Sequence, residues 1–132
     1  MAKKNPDIRM VSFGRYTPFQ KGSKEMPRIL EFTTRIPGQI GTEFGYILKI
    51  RKARGMMLTF RIDHPPFLNE QGDLTPPFDG EMFVDANDYD FFLGDAVWAP
   101  AEDKQGDWTL TTWLDGEQIA EKRFTIVDPA EI

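Results

Sequence analysis

The chain carries one histidine, His64, set between Asp63 and the pair Pro65-Pro66. An Asp-His pair can orient an imidazole for base catalysis, yet no Gly-x-Ser-x-Gly elbow or other nucleophile context accompanies it. The economical reading is a turn histidine, and no catalytic residue is assigned. A zinc site at His64 would have to draw nearly all its other ligands from carboxylates, because the chain has no cysteine. Asp85, Asn87, Asp88 and Asp90 place hard oxygen ligands close together, as a calcium loop requires. A tyrosine and a phenylalanine fall where that loop needs a third acid or glycine, so an Asx-rich turn between strands is the simpler account. No metal or other cofactor is expected.

Two further groupings suggest contact rather than chemistry. Lys49, Arg51, Lys52 and Arg54 crowd one hairpin tip, where they could meet a phosphate backbone or an acidic protein patch. Stacking aromatics are the missing half of a nucleic-acid platform, since nearby Phe44, Tyr46 and Phe60 alternate as core residues do. The acidic total charge also argues against nucleic acid. Trp98, Trp108 and Trp113 could form a sugar-stacking platform, with Trp108 the natural core anchor and Trp113 on the opposite parity.

The frame that must position these residues is one domain. A chain of 132 residues buries about 65 to 70% of the surface its unfolded form exposes, enough for a core without disulfides. Absence of cysteine and of an apolar run behind Lys3 and Lys4 fits a soluble, cytoplasmic protein with no secretory signal and no membrane span. Charge is split along the chain. Residues 1–61 hold 13 Lys or Arg against 4 Asp or Glu, and residues 62–132 hold 3 against 17. In a sandwich such halves become neighbouring strands, so the split predicts salt-bridged neighbours more readily than an anionic partner.

Apolar residues recur at spacing two nearly throughout. Strands are expected over Ile8–Tyr16, Arg28–Thr34, Phe44–Arg51, Met56–Asp63, Glu81–Asp85, Tyr89–Leu93, Gly106–Leu114 and Glu117–Val127, with a loop at residues 21–24. Asp115-Gly116 is the residue pair that accepts the positive φ values of a tight hairpin turn. A plain two-residue turn would oppose Trp108 to Arg123 and turn Phe124 away from the core. A β-bulge between Ala120 and Arg123 would restore it; a three-residue turn would do likewise and leave Ile119 outward. The stretch from His64 to Gly80 holds Pro65, Pro66, Pro76 and Pro77, which remove ladder donors, so an ordered excursion outside the sheets is predicted.

Ile36-Pro37-Gly38-Gln-Ile40-Gly41-Thr42-Glu-Phe44-Gly45, Gly106-Asp-Trp108-Thr-Leu and Glu121-Lys-Arg-Phe124-Thr-Ile-Val127 resemble a bacterial family of small proteins known as a domain of unknown function. The resemblance runs from about Phe13 to Val127. It implies a β-sandwich and supplies no activity.

The expectation is therefore all-β: a single antiparallel immunoglobulin-like β-sandwich of seven or eight strands over residues 1–132, with residues 1–7 and 128–132 as flexible ends. It would act without catalysis, as a protein-binding or accessory module. The first contact surface is the proline-stiffened segment His64, Pro65, Pro66, Phe67 and Leu68, which loses little entropy on docking. Trp113 and the tip residues Arg51, Lys52 and Arg54 come second, and exposed edge strands would allow a homodimer by sheet extension. The alternative is a carbohydrate-binding or carbohydrate-acting protein. Its carboxylates Asp85, Asp88, Asp90 and Asp95 would converge beside an aromatic platform, two of them about 5 to 9.5 Å apart.

Overall fold

Alternation of apolar and polar side chains sets nine strands in the computed structural model, which describes residues 5–20 and 25–132. They are β1 (Asp7–Tyr16), β2 (Ile29–Glu31), β3 (Arg35–Pro37), β4 (Glu43–Arg51), β5 (Met57–Asp63), β6 (Phe78–Phe83), β7 (Asp88–Ala96), β8 (Gly106–Leu114) and β9 (Glu117–Val127). One sheet runs β2-β1-β4-β7 and the other β3-β9-β8-β5-β6. The expected loop at residues 21–24 and the first four residues of the expected flexible start lie outside the described residues. Asp7 already pairs with Arg51, and at the far end the Arg35 Nη2 donates to the Glu131 carbonyl at 3.2 Å.

The strand count and the pairing pattern correct the expectation of seven or eight antiparallel strands. Of the expected strand over Arg28–Thr34 only Ile29–Glu31 forms, as β2 paired with β1; the chain then crosses to the other sheet, where β3 follows at Arg35–Pro37. β3 runs parallel to β9, with Ile36 opposite Ile126. The crossing is possible because Gly14, at φ +134°, has no Cβ where one would stand 1.9 Å from the Glu31 carbonyl oxygen and 2.8 Å from the Thr33 nitrogen. Burial of Ile36 beside Ile126 stabilises the crossing by about 1.5 to 3 kcal/mol per side chain. β6 also starts earlier than expected, because Phe78 pairs with Ile62.

The core lies between the sheets. Phe44, Tyr46, Leu48 and Ile50 from β4 meet Trp108, Leu110 and Leu114 from β8, and Trp108 is 1% exposed. Its indole meets Phe44 edge to face at 5.5 Å between centroids. One polar contact joins the layers: the Tyr46 and Thr112 hydroxyls lie 2.6 Å apart, and burial holds the phenol well above its ordinary pKa against that hydrogen bond. On the other face of the first sheet, Gly14, Gly45 and Gly94 stand side by side on β1, β4 and β7. A Cβ at Gly94 would stand 2.5 Å from the Phe92 ring, which Tyr16 and Phe19 meet at 5.1 Å.

The closing hairpin has the two-residue turn its residues predict, with Asp115 at φ 47° and Gly116 at φ 83°. The register shift is present but closer to the turn than expected. Trp113 faces Gln118 and Thr112 faces Ala120, so the extra residue is Ile119. A bulge immediately after a tight turn absorbs the strong local twist there. Trp108 consequently faces Phe124, and both enter the core.

Candidate functional site

Residues 64–77, between β5 and β6, form an ordered lobe whose base is a packed aromatic cluster. The two His64 ring nitrogens lie 2.8 Å from the Pro65 carbonyl oxygen and 2.9 Å from that of Pro76, tying the start of the lobe to its end. The imidazole stacks on Phe67 at 4.3 Å and leans on Phe78 and Trp108. Phe67 meets Trp98 edge to face at 5.5 Å. Pro65 packs on Gly106, where a Cβ would stand 2.9 Å from the proline Cγ. His64 is thus a structural turn residue.

A buried cation completes this cluster. Lys104 ends a 3-10 helix, Ala101–Lys104, and its ammonium lies 4.7 Å from the Phe67 ring centre and 4.6 Å from that of Trp98. It donates to the Pro100 carbonyl at 3.1 Å and to the Asp103 carboxylate. Trp108 Nε1 donates to the Lys104 carbonyl at 2.8 Å. Carboxylate, carbonyl and π faces together satisfy a charge that would otherwise be costly to bury.

The far end of the lobe is a small hairpin made by local polar bonds. The Asn69 carboxamide oxygen accepts from the nitrogens of Gln71 and Asp73, and Thr75 N donates to the Phe67 carbonyl at 2.9 Å. Leu68 and Leu74 pair as an antiparallel bridge, exposed by 61% and 68%. Of the five predicted contact residues, Pro66 and Leu68 face solvent, Phe67 is buried, and His64 and Pro65 are half-buried. Leu74 was missed. Its signal was present as two leucines flanking an Asn-to-Gly-Asp turn.

The other predicted residues lie elsewhere. Arg51, Lys52 and Arg54 are exposed at the β4–β5 connection, at the opposite end of β5 from the lobe. Arg51 Nε lies 3.0 Å from Asp88, and Lys49 Nζ lies 3.9 Å from Asp90. Two of the calcium candidates are therefore ion-paired, while Asp85 and Asn87 are exposed in the preceding connection. Among the described residues no group of three or more His, Asp or Glu is placed to hold a metal ion. Asp95 Oδ1 accepts from the Ala96 nitrogen. The three tryptophans do not form one platform: Trp108 is core, Trp98 belongs to the lobe cluster, and Trp113 is half-buried on the outer face of the five-stranded sheet.

Two features had no sequence forecast. A concavity of about 520 Å³ beside Trp113 is lined by Thr59, Arg61, Asp79 and Glu81. A smaller one, about 270 Å³, is lined by Arg15, Tyr16, Leu30, Ile40 and Glu43. Burial raises the Glu43 carboxyl above its ordinary range; the Phe19 N–H, donating at 3.0 Å, opposes this and the charge of Asp95 adds to it. Burial likewise raises Tyr16, whose hydroxyl lies 2.9 Å from that of Ser12.

The two-sheet architecture defines an immunoglobulin-like β-sandwich. A solved immunoglobulin-like protein from Pseudomonas aeruginosa superposes with a TM-score of 0.72 at 19% identity, over 92% of this chain and 97% of that one. A family model matches residues 4–126, and the chain belongs to the family Domain of unknown function (DUF3859). No protein of curated function is significantly similar in sequence. Among the described residues no helix is long and apolar enough to cross a membrane.

Proposed function

We propose that this domain is a non-enzymatic protein-binding module that docks through the lobe between β5 and β6. The observation that carries the proposal is the bridged pair Leu68 and Leu74, both largely exposed at the tip of a lobe whose base is fixed by aromatic packing. Exposed leucines held on a preformed hairpin bury apolar area on docking while little chain entropy is lost. Glu70 and Asp73 lie in the turn between them, so the complementary surface is an apolar socket with a basic rim.

The test compares capture from native lysate by the wild-type chain, by a Leu68→Glu, Leu74→Glu variant, and by Trp113→Ala, with thermal melting as the folding control. A protein held by the wild type and by Trp113→Ala, and lost from the leucine variant at unchanged Tm, supports the proposal. Equal capture by the leucine variant overturns it.

A further inference from the structure

The outer face of the five-stranded sheet carries a second surface, unrelated to the lobe tip. Register places its residues. Thr59 stands between Trp113 on β8 and Glu81 on β6, and Arg61 stands between Thr111 and Asp79. Thr59, Arg61, Asp79, Glu81 and Trp113 alternate with the buried Leu58, Ile62, Thr112 and Leu114, so their side chains share the outer face, on which Thr111 is itself buried. Trp113 thus borders a concavity of about 520 Å³ whose walls are Thr59, Arg61, Asp79 and Glu81 together with Phe60 and Gly80, and that volume is within the range of about 300 to 1,000 Å³ typical of small-molecule sites.

The charged groups there are close without being spent on one another. Arg61 Nε lies 3.9 Å from Asp63 and 4.0 Å from Asp79, beyond hydrogen-bond reach. The guanidinium therefore keeps donors, and the carboxylates of Asp79 and Glu81 keep acceptors, next to a flat apolar ring. We infer that this face binds a neutral oligosaccharide, the Trp113 indole stacking on the C–H face of one pyranose while Arg61, Asp79 and Glu81 engage its hydroxyls. A vicinal diol both donates and accepts, and it needs this interleaving of donors and acceptors. Three carboxylates, Asp63, Asp79 and Glu81, against one guanidinium disfavour a phosphorylated or uronic polymer, and Arg61 at the centre disfavours a lysine-rich segment. All five side chains stand on paired strands, so the face is organised before ligand arrives.

Calorimetric titration of the whole domain with cellohexaose, maltohexaose and mannohexaose tests this, with an oligogalacturonate and an oligolysine as charged comparators. At least one neutral hexaose binds; Trp113→Ala weakens it about tenfold or more, Trp113→Tyr restores part of the loss, and Glu81→Gln weakens it severalfold. Leu68→Glu leaves it unchanged, which separates this site from the lobe. Melting curves confirm that each variant folds. The inference is overturned if no neutral hexaose binds at millimolar concentration, if binding survives Trp113→Ala undiminished, or if only a charged comparator binds.

Discussion

Glu43 is a residue at which the fold and ionisation are opposed. It stands at the start of β4, nearly out of solvent, with its carboxyl raised above the ordinary carboxylate range chiefly by burial. A raised carboxylate pKa means that the folded chain favours the neutral form. Its contribution to stability is present below the ordinary carboxylate range and is lost as pH rises through the raised value. Above that raised value the domain carries an ionised, poorly solvated group. Glu43→Gln retains an acceptor for the Phe19 N–H, so its Tm relative to wild type rises as pH climbs through the raised value and the gain fades toward pH 4; a Tm difference that does not grow with pH would contradict this account. Nothing in the residue pattern marks it, because a single glutamate before an alternating strand reads as a solvated end. By contrast, the core role of Trp108 was legible from parity against Leu110 and Phe124.

At the scale of elements, the hairpin β8–β9 and the crossing at β2–β3 mark the two extremes of legibility. Asp115-Gly116 dictates its turn through residues adjacent in sequence, and the parity of Trp108 against Phe124 demanded a register shift somewhere in β9. Only its exact site, at Ile119, depended on local twist. β3 could not be foreseen the same way: it is three residues ending in a proline, and its partner residues lie at the other end of the chain. The same holds for the lobe, where prolines announced an excursion but not which side chains would fill its base. The glycine row gives the element-scale prediction. A Cβ at Gly45 would stand 2.1 Å from the Leu93 carbonyl oxygen and 2.6 Å from Gly94 Cα, so backbone must separate. Gly45→Ala lowers the unfolding free energy by about 3 kcal/mol or more in chemical denaturation; a loss below about 1 kcal/mol would show that the strands part easily.

For the molecule as a whole, the split of charge along the chain resolves into neighbours. Lys49 and Arg51 on β4 face Asp90 and Asp88 on β7, and Arg61 on β5 sits near Asp79 on β6. These groups are exposed, and pairs of this kind are worth about 0 to 1 kcal/mol. Arg51→Ala and Asp88→Ala each change the unfolding free energy by about 1 kcal/mol or less; a larger loss would make the tip pairs part of the scaffold. Stability rests instead on the apolar layer between sheets, and that layer closes late. β9 lies between β8 and β3, so the strand encoded last holds in place one encoded near the beginning. A nascent chain leaving the ribosome cannot complete its second sheet until Val127 has cleared the exit tunnel, while the first sheet, whose last strand ends at Ala96, emerges ahead of it.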